Sequence, residues 1–164
     1  MSTLNAARLV AIALWLGAAI FFSVVVAPAV FGVLRSFDLP NANELAGTIV
    51  TRSLSVINVS GFVIGVVVLL TFAIRWPHRM SLRVLIVLIC VAVTTLATGV
   101  GHWLIAARMR ALRVEMKLSI DQIAFDDPRR VAFQHLHGYS VSALGIAMIA
   151  ALIADILLSR EPRA

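Results

Sequence analysis

Runs of apolar residues broken by short polar segments divide the chain into four stretches, residues 9–34, 53–74, 84–107 and 131–158. The first two contain no charged side chain, and the third has His102 as its notable ionisable group. The fourth opens with a polar turn and runs apolar from Tyr139 to Ala154 before reaching Asp155. Each is long enough for the roughly 20 helical residues that cross about 30 Å of hydrocarbon. A membrane barrel would instead alternate polar and apolar positions, with turns about every ten residues. The pattern predicts four transmembrane helices. Arg8 in front of the first stretch and Ala27-Pro28-Ala29 behind it imitate a secretory leader and its cleavage site. Leader cores are only about 7–15 residues long, however, so this stretch is expected to stay as a span.

The links add detail. Residues 35–52 carry the turn signal Leu39-Pro40-Asn41. Residues 75–83, with Trp76-Pro77-His78, read as a tight basic turn. In residues 108–130, Met109, Leu112, Met116, Ile120 and Ile123 recur at helical spacing, while Arg110, Arg113 and Lys117 fall on another side. The third helix is therefore expected to run past the hydrocarbon as an amphipathic extension lying against headgroups. Asp127-Pro128 supplies a side-chain cap and a first-turn proline for the fourth helix. The predicted fold is all-α: a single domain over residues 1–164, an antiparallel up-down integral membrane four-helix bundle with that extension after helix 3.

Composition agrees. Apolar residues make up 61% of the chain and charged residues 13%, against roughly 45–50% and 25% in soluble domains. The net charge of +6 comes from 14 Lys/Arg against 8 Asp/Glu. In short loops such an excess belongs at anionic headgroups, and no loop offers the basic stripe that nucleic acid requires. Six cations fall on the termini and second link and eight on the first and third links, which leans toward a cytoplasmic third link. The expected location is the cell (inner) membrane, multi-pass. Cys90 is the sole cysteine and excludes an internal disulfide.

Polar residues within spans are the default functional candidates. In an antiparallel bundle the end of helix 1, the start of helix 2, the end of helix 3 and the start of helix 4 share one membrane face. Asn58, Thr98, His102, His135, His137 and Ser140 fall near that face and form the candidate cluster. Thr95, Thr98 and His102 share one side of helix 3, and Phe133, His137 and Ser140 share one side of helix 4. His102 and His137 at one depth could ligate a metal or haem iron, relay protons or contact a substrate. They could equally hydrogen-bond a loop or reach for headgroups. His135 and His137, two residues apart, point in different directions. Gly61 and Gly65 form a GxxxG that serves helix packing, within this chain or between chains. Pro28 either kinks the first helix or helps end it. Asp155, at the opposite face with Arg8, Arg75 and Arg160, is expected in an interfacial ion pair. No nucleophile–base–acid set, phosphate loop or carboxylate pair is present, so no enzymatic activity and no cofactor are expected.

Leu14-Trp15-Leu16-Gly17, Val26-Ala27-Pro28-Ala29-Val30-Phe31, Thr95-Leu96-Ala97-Thr98 leading to Trp103, and Phe133 to Ser140 resemble, in order, the recurrent stretches of domain-of-unknown-function family 4149. Bacterial proteins and the animal transmembrane protein 205 belong to that family. The resemblance implies a four-helix membrane protein with no established reaction, and its animal members' association with platinum-drug resistance implies transport or vesicle traffic. His137-Gly138 and Ser140 match the family's His-Gly-x-Ser, whereas His102 stands where animal relatives tend to have arginine. The first span is also similar to copper-resistance D-type membrane domains. The expected function is a small non-enzymatic accessory or structural subunit packing on other membrane helices, in a hetero-complex or homo-oligomer. The alternatives are a metal or amphiphile transport or resistance component, and a haem b or copper redox protein ligated through His102 and His137 or His135.

Overall fold

The computed structural model describes residues 3–74 and 81–160. Its four long helices are α1 (Thr3–Ser36), α2 (Ala42–Ile74), α3 (Leu82–Met116) and α4 (Pro128–Ser159), all long and apolar enough to span a membrane. Among the described residues there is no strand. The expected Trp76-Pro77-His78 turn lies outside the described residues. Every helix is longer than its apolar stretch, because polar first and last turns continue the backbone ladder beyond hydrocarbon.

Local chemistry sets the boundaries. Asp127 caps α4 by accepting from the Arg129 N–H at 2.8 Å, with Pro128 in the first turn as expected. Ser81 Oγ accepts from the Val84 N–H at 3.3 Å at the start of α3. That helix ends at Met116, where Lys117 turns left-handed with φ 56°. The expected single amphipathic helix therefore stops early. Ile120 falls in a short 3-10 turn, Ile120–Gln122, and Ile123 beyond it. The apolar face is also covered by protein: Leu112, Met116 and Ile123 are buried with Phe133 of α4. Packing on the neighbouring helix captures this stripe.

α2 packs on α3, and α3 on α4. The first part of α1 closes the ring against α4 and α2. Ile12, Trp15, Leu16, Val87, Val91, Leu144 and Ala147 form the shared core. The GxxxG packs within the chain. A Cβ on Gly61 would come within 2.6 Å of the Trp15 ring, and one on Gly65 would collide with Thr95 Oγ. Trp15 Nε1–H donates to the Ile57 carbonyl at 2.9 Å, tying α1 to α2. Outward positions such as Leu14, Val24, Val56 and Leu96 are large, apolar and exposed, an arrangement that suits lipid and not water.

Two helices contain wide π turns. In α1 the turn Phe22–Val26 precedes Pro28, and the Ala27 N–H donates five residues back to Phe22. Pro28 has no N–H, and its ring crowds the carbonyl four residues before it; the wide turn accommodates both. Pro28 therefore does not end the helix, which continues to Ser36. Beyond this turn α1 packs on α2. In α3 the π turn Val100–Ile105 holds His102.

At the opposite end Arg8 is buried, its guanidinium 3.6 Å from the Phe72 ring centre and bonded to Thr71 Oγ at 2.9 Å. Asp155 forms no ion pair with Arg8 or Arg160, and its Oδ1 is buried without a hydrogen-bond partner among the described residues. Arg75, the third expected partner, lies outside the described residues, and Arg8 is held by the Phe72 ring, the Thr71 hydroxyl and Asn5 Oδ1.

Candidate functional site

The four helix ends that antiparallel topology brings to one face enclose a cavity of about 650 Å³. That lies within the range of small-molecule sites, about 300–1,000 Å³. On α2 its wall runs from Asn43 to Asn58, about 22 Å of helix at 1.5 Å per residue. On α4 it runs from Arg130 to Ser140, about 15 Å. The cavity is therefore long and follows the helix axes.

Its outer end is cationic. Arg35 of α1, Arg113 of α3 and Arg130 of α4 all line it. Arg35 donates from Nε to Asn43 Oδ1 at 2.8 Å. Arg113 lies 3.6 Å from Glu44 and 5.1 Å from the Phe133 ring centre. The Arg130 guanidinium lies 3.9 Å from the Phe125 ring centre, donates from Nη1 to the Ile123 carbonyl, and has its buried Nε unpartnered among the described residues. A guanidinium offers five N–H donors, so these three hold donors in reserve.

Asp121, the lining carboxylate, is already engaged. It accepts from Asn43 Nδ2 at 2.6 Å and from the Glu44 N–H at 3.1 Å. The third link thus supplies a cap to the first turn of α2, a donor-rich position that no residue of α2 itself satisfies. Glu44 reciprocates, accepting from the Ile120 N–H at 3.3 Å. This pair of clips holds the link across the mouth of the cavity.

Inward, the charges disappear. Phe31, Leu54, Met109 and Phe133 give apolar wall, and Asn58 and Ser140 stand at the deep end. Asn58 is 4% and Ser140 6% exposed. Neither side chain has a hydrogen bond among the described residues, and both line the cavity. Their polar atoms are not among the fully buried unpartnered ones, so they keep access to the cavity. Their open partner positions face the space that a ligand or water would fill.

The six sequence candidates divide evenly. Asn58, His137 and Ser140 share the cavity, and the expected α4 stripe of Phe133, His137 and Ser140 lines it throughout. The other three stand apart from it. His102 Nδ1 lies 3.1 Å from Ser55 Oγ, between α3 and α2, and its ring meets Trp103 edge-on at 4.9 Å. Thr98 is buried, but its hydroxyl is used by the carbonyls of Thr94 and Thr95 in its own helix. His135 is exposed on another side of α4. Among the described residues no three His, Cys, Asp or Glu side chains gather as a metal site would require. Sequence reading passed over Arg113, Arg130 and Asp121. The first two resembled loop cations, and Asp121 sits in a stretch whose helical spacing hid the turn that aims it at α2.

Electrostatics at the rim are local. Asp127 beside the cavity's α4 wall has its carboxyl lowered to about 2, first by the Arg129 side-chain hydrogen bonds and then by the Arg129 backbone N–H.

No curated protein and no solved structure matches the chain. The family model for the domain of unknown function DUF4149 matches residues 10–118, which include α2, α3 and all of the cavity's α1, α2 and α3 lining, and the chain belongs to that family.

Proposed function

We propose that this multi-pass membrane protein is non-enzymatic and takes an amphiphilic small molecule into the interfacial cavity, as part of moving that molecule or resisting it. The observation that carries the reading is the deep end of the cavity, where buried Asn58 and Ser140 present unmet hydrogen-bonding groups to about 650 Å³ of space. An organic ligand suits that lining better than a metal, since an amide, a hydroxyl and the single imidazole of His137 are the polar groups there and His102 is turned toward Ser55. The test is native mass spectrometry of protein extracted from its own membrane into nanodiscs. A bound amphiphile that is lost on Ser140→Leu, with the apparent Tm kept, supports the reading. Bare protein, or adducts indifferent to that substitution, would sink it.

A second reading, the accessory or oligomeric subunit, draws on the outer face of α4. A Cβ at Gly138 or Gly145 would meet nothing within 4 Å, and exposed Ser142 lies between them. Small residues at this spacing let a second membrane helix approach closely. Ser142→Cys should then form a disulfide-linked or cross-linked adduct in native membranes. A purely monomeric product counts against that reading.

A further inference from the structure

We infer that the cavity recognises an elongated single-chain anion at two points, its charged head at the arginine mouth and a hydroxyl or carbonyl part-way along its chain at Asn58 and Ser140. The inference rests on the amphiphile reading above and assigns the chemical class of the ligand. Three observations lead to it.

The first is the separation of chemistries along the cavity. Arg35, Arg113 and Arg130 stand at the outer end, and the deep end has no charged group. The lining carboxylate, Asp121, has both oxygens engaged by donors of α2, and the three arginines outnumber it. A ligand matching this lining carries negative charge at one end only. Arginine suits a carboxylate or phosphate because its donors are arranged as a planar fork.

The second is the inner pair. An amide both donates and accepts, and a hydroxyl does the same. The group they fit is a neutral donor or acceptor, since the arginines and Asp121 stand at the outer end and the titratable neighbour on this wall is the His137 imidazole, one turn from Ser140. Arg130 and Ser140 are ten residues apart on α4, about 15 Å along the axis, so the two recognition points belong to one extended molecule. At about 30 Å³ per water-sized group, the 650 Å³ holds on the order of twenty such groups. That is one chain with its head, and too little for a two-chain lipid.

The third is the way in. Before the π turn at Phe22–Val26, α1 packs against both α4 and α2; after it, α1 packs on α2. Phe31 and Arg35, on the part of α1 beyond that turn, nevertheless line the same cavity as His137 and Ser140 of α4. The cavity therefore fills the splay between these two helices, through which a chain can pass to the lipid.

The experiment uses the full chain in nanodiscs of neutral phosphatidylcholine, with binding read by native mass spectrometry. Octadecanoate, octadecyl phosphate, 12-hydroxyoctadecanoate and octadecyltrimethylammonium are compared at equal concentration. The expected result is at least a tenfold preference for the anions over the cation, reduced several-fold by Arg130→Gln. The hydroxylated chain should bind several-fold better than its plain counterpart, and Asn58→Leu should remove that advantage while leaving the anion preference. Arg130→Lys, which keeps the charge without the fork, should restore part of the anion preference, separating recognition from misfolding. Stronger retention of the phosphate assigns the source to phospholipid breakdown, and stronger retention of the carboxylate to fatty acids; either supports the inference. Equal binding of anion and cation overturns the inference while keeping the amphiphile reading. No binding of any of the four overturns both. Anion binding that persists unchanged in Arg130→Gln and Asn58→Leu is surface attraction to cations and also overturns it.

Discussion

Gly65 shows how little room single residues have in this bundle. Its missing side chain is where Thr95 sits, and an added Cβ would collide with the Thr95 hydroxyl. Thr95 donates that hydroxyl to the Val91 carbonyl of its own helix at 2.8 Å, so it cannot swing away without giving up the bond. Overpacking of this kind costs roughly 1–3 kcal/mol. Gly65→Ala should therefore lower the apparent Tm in detergent, and Gly65→Ala with Thr95→Ala should recover part of the loss. Equal losses in the single and double variants would show that the clash is not between these two residues. The same scale explains what sequence reading could and could not see. The close approach at Gly61 and Gly65 is written in a spacing of four along one helix. The direction of Thr98, spent on its own helix, and of His102, toward Ser55, depends on the rotation of α3, which spacing within α3 does not contain.

At the scale of elements, helix ends are where the chain's polar residues act. Asp127 caps α4 and pairs with Arg129 at 2.7 Å, and its carboxyl is lowered to about 2. A carboxylate whose folded value lies below its unfolded value of about 3.9 stabilises the fold fully above that unfolded value. The contribution fades as pH falls through the folded value. The Tm gap between the wild type and Asp127→Ala should hold from neutral pH down to about 4 and shrink between about 4 and 2. A gap that closes near pH 6 would contradict the cap. This boundary was legible from Asp127-Pro128 because a capping signal is local. The end of α3 was not, since Ile120 and Ile123 keep helical spacing although the backbone turns at Lys117. Their apolar side chains reach the same cluster from a different backbone path. The π turn in α1 escaped for a related reason: Pro28 announces a disturbance of the ladder, but whether it ends, kinks or widens the helix depends on what packs beyond it.

In the whole molecule the part of α1 beyond its π turn packs on α2, and the third link is clipped to the first turn of α2 at the same end. Four spans and their shared face could be read from hydropathy and antiparallel topology alone, and that face is where the cavity lies. Its ownership could not, because Arg113 and Arg130 stand on helix turns whose rotation hydropathy does not set, and Asp121 comes from a link whose path is set by tertiary contacts. The clip is testable. Asp121→Ala removes the acceptor of both Asn43 Nδ2 and the Glu44 N–H, so hydrogen exchange should rise across residues 117–127 while the cores of α2 and α3 stay protected. Unchanged exchange in the link would mean that its apolar anchors, Met116 and Ile123, hold it without the clip. The central claim is that the cavity is a ligand site. The most direct measurement is an experimental density map of the protein in nanodiscs of its native lipids, viewed between Phe31, Asn58 and Ser140. The account predicts continuous elongated density, with its head near Arg113 and Arg130 and a hydrogen-bonding contact to Asn58. A cavity collapsed onto itself, or holding only separate waters, would contradict it.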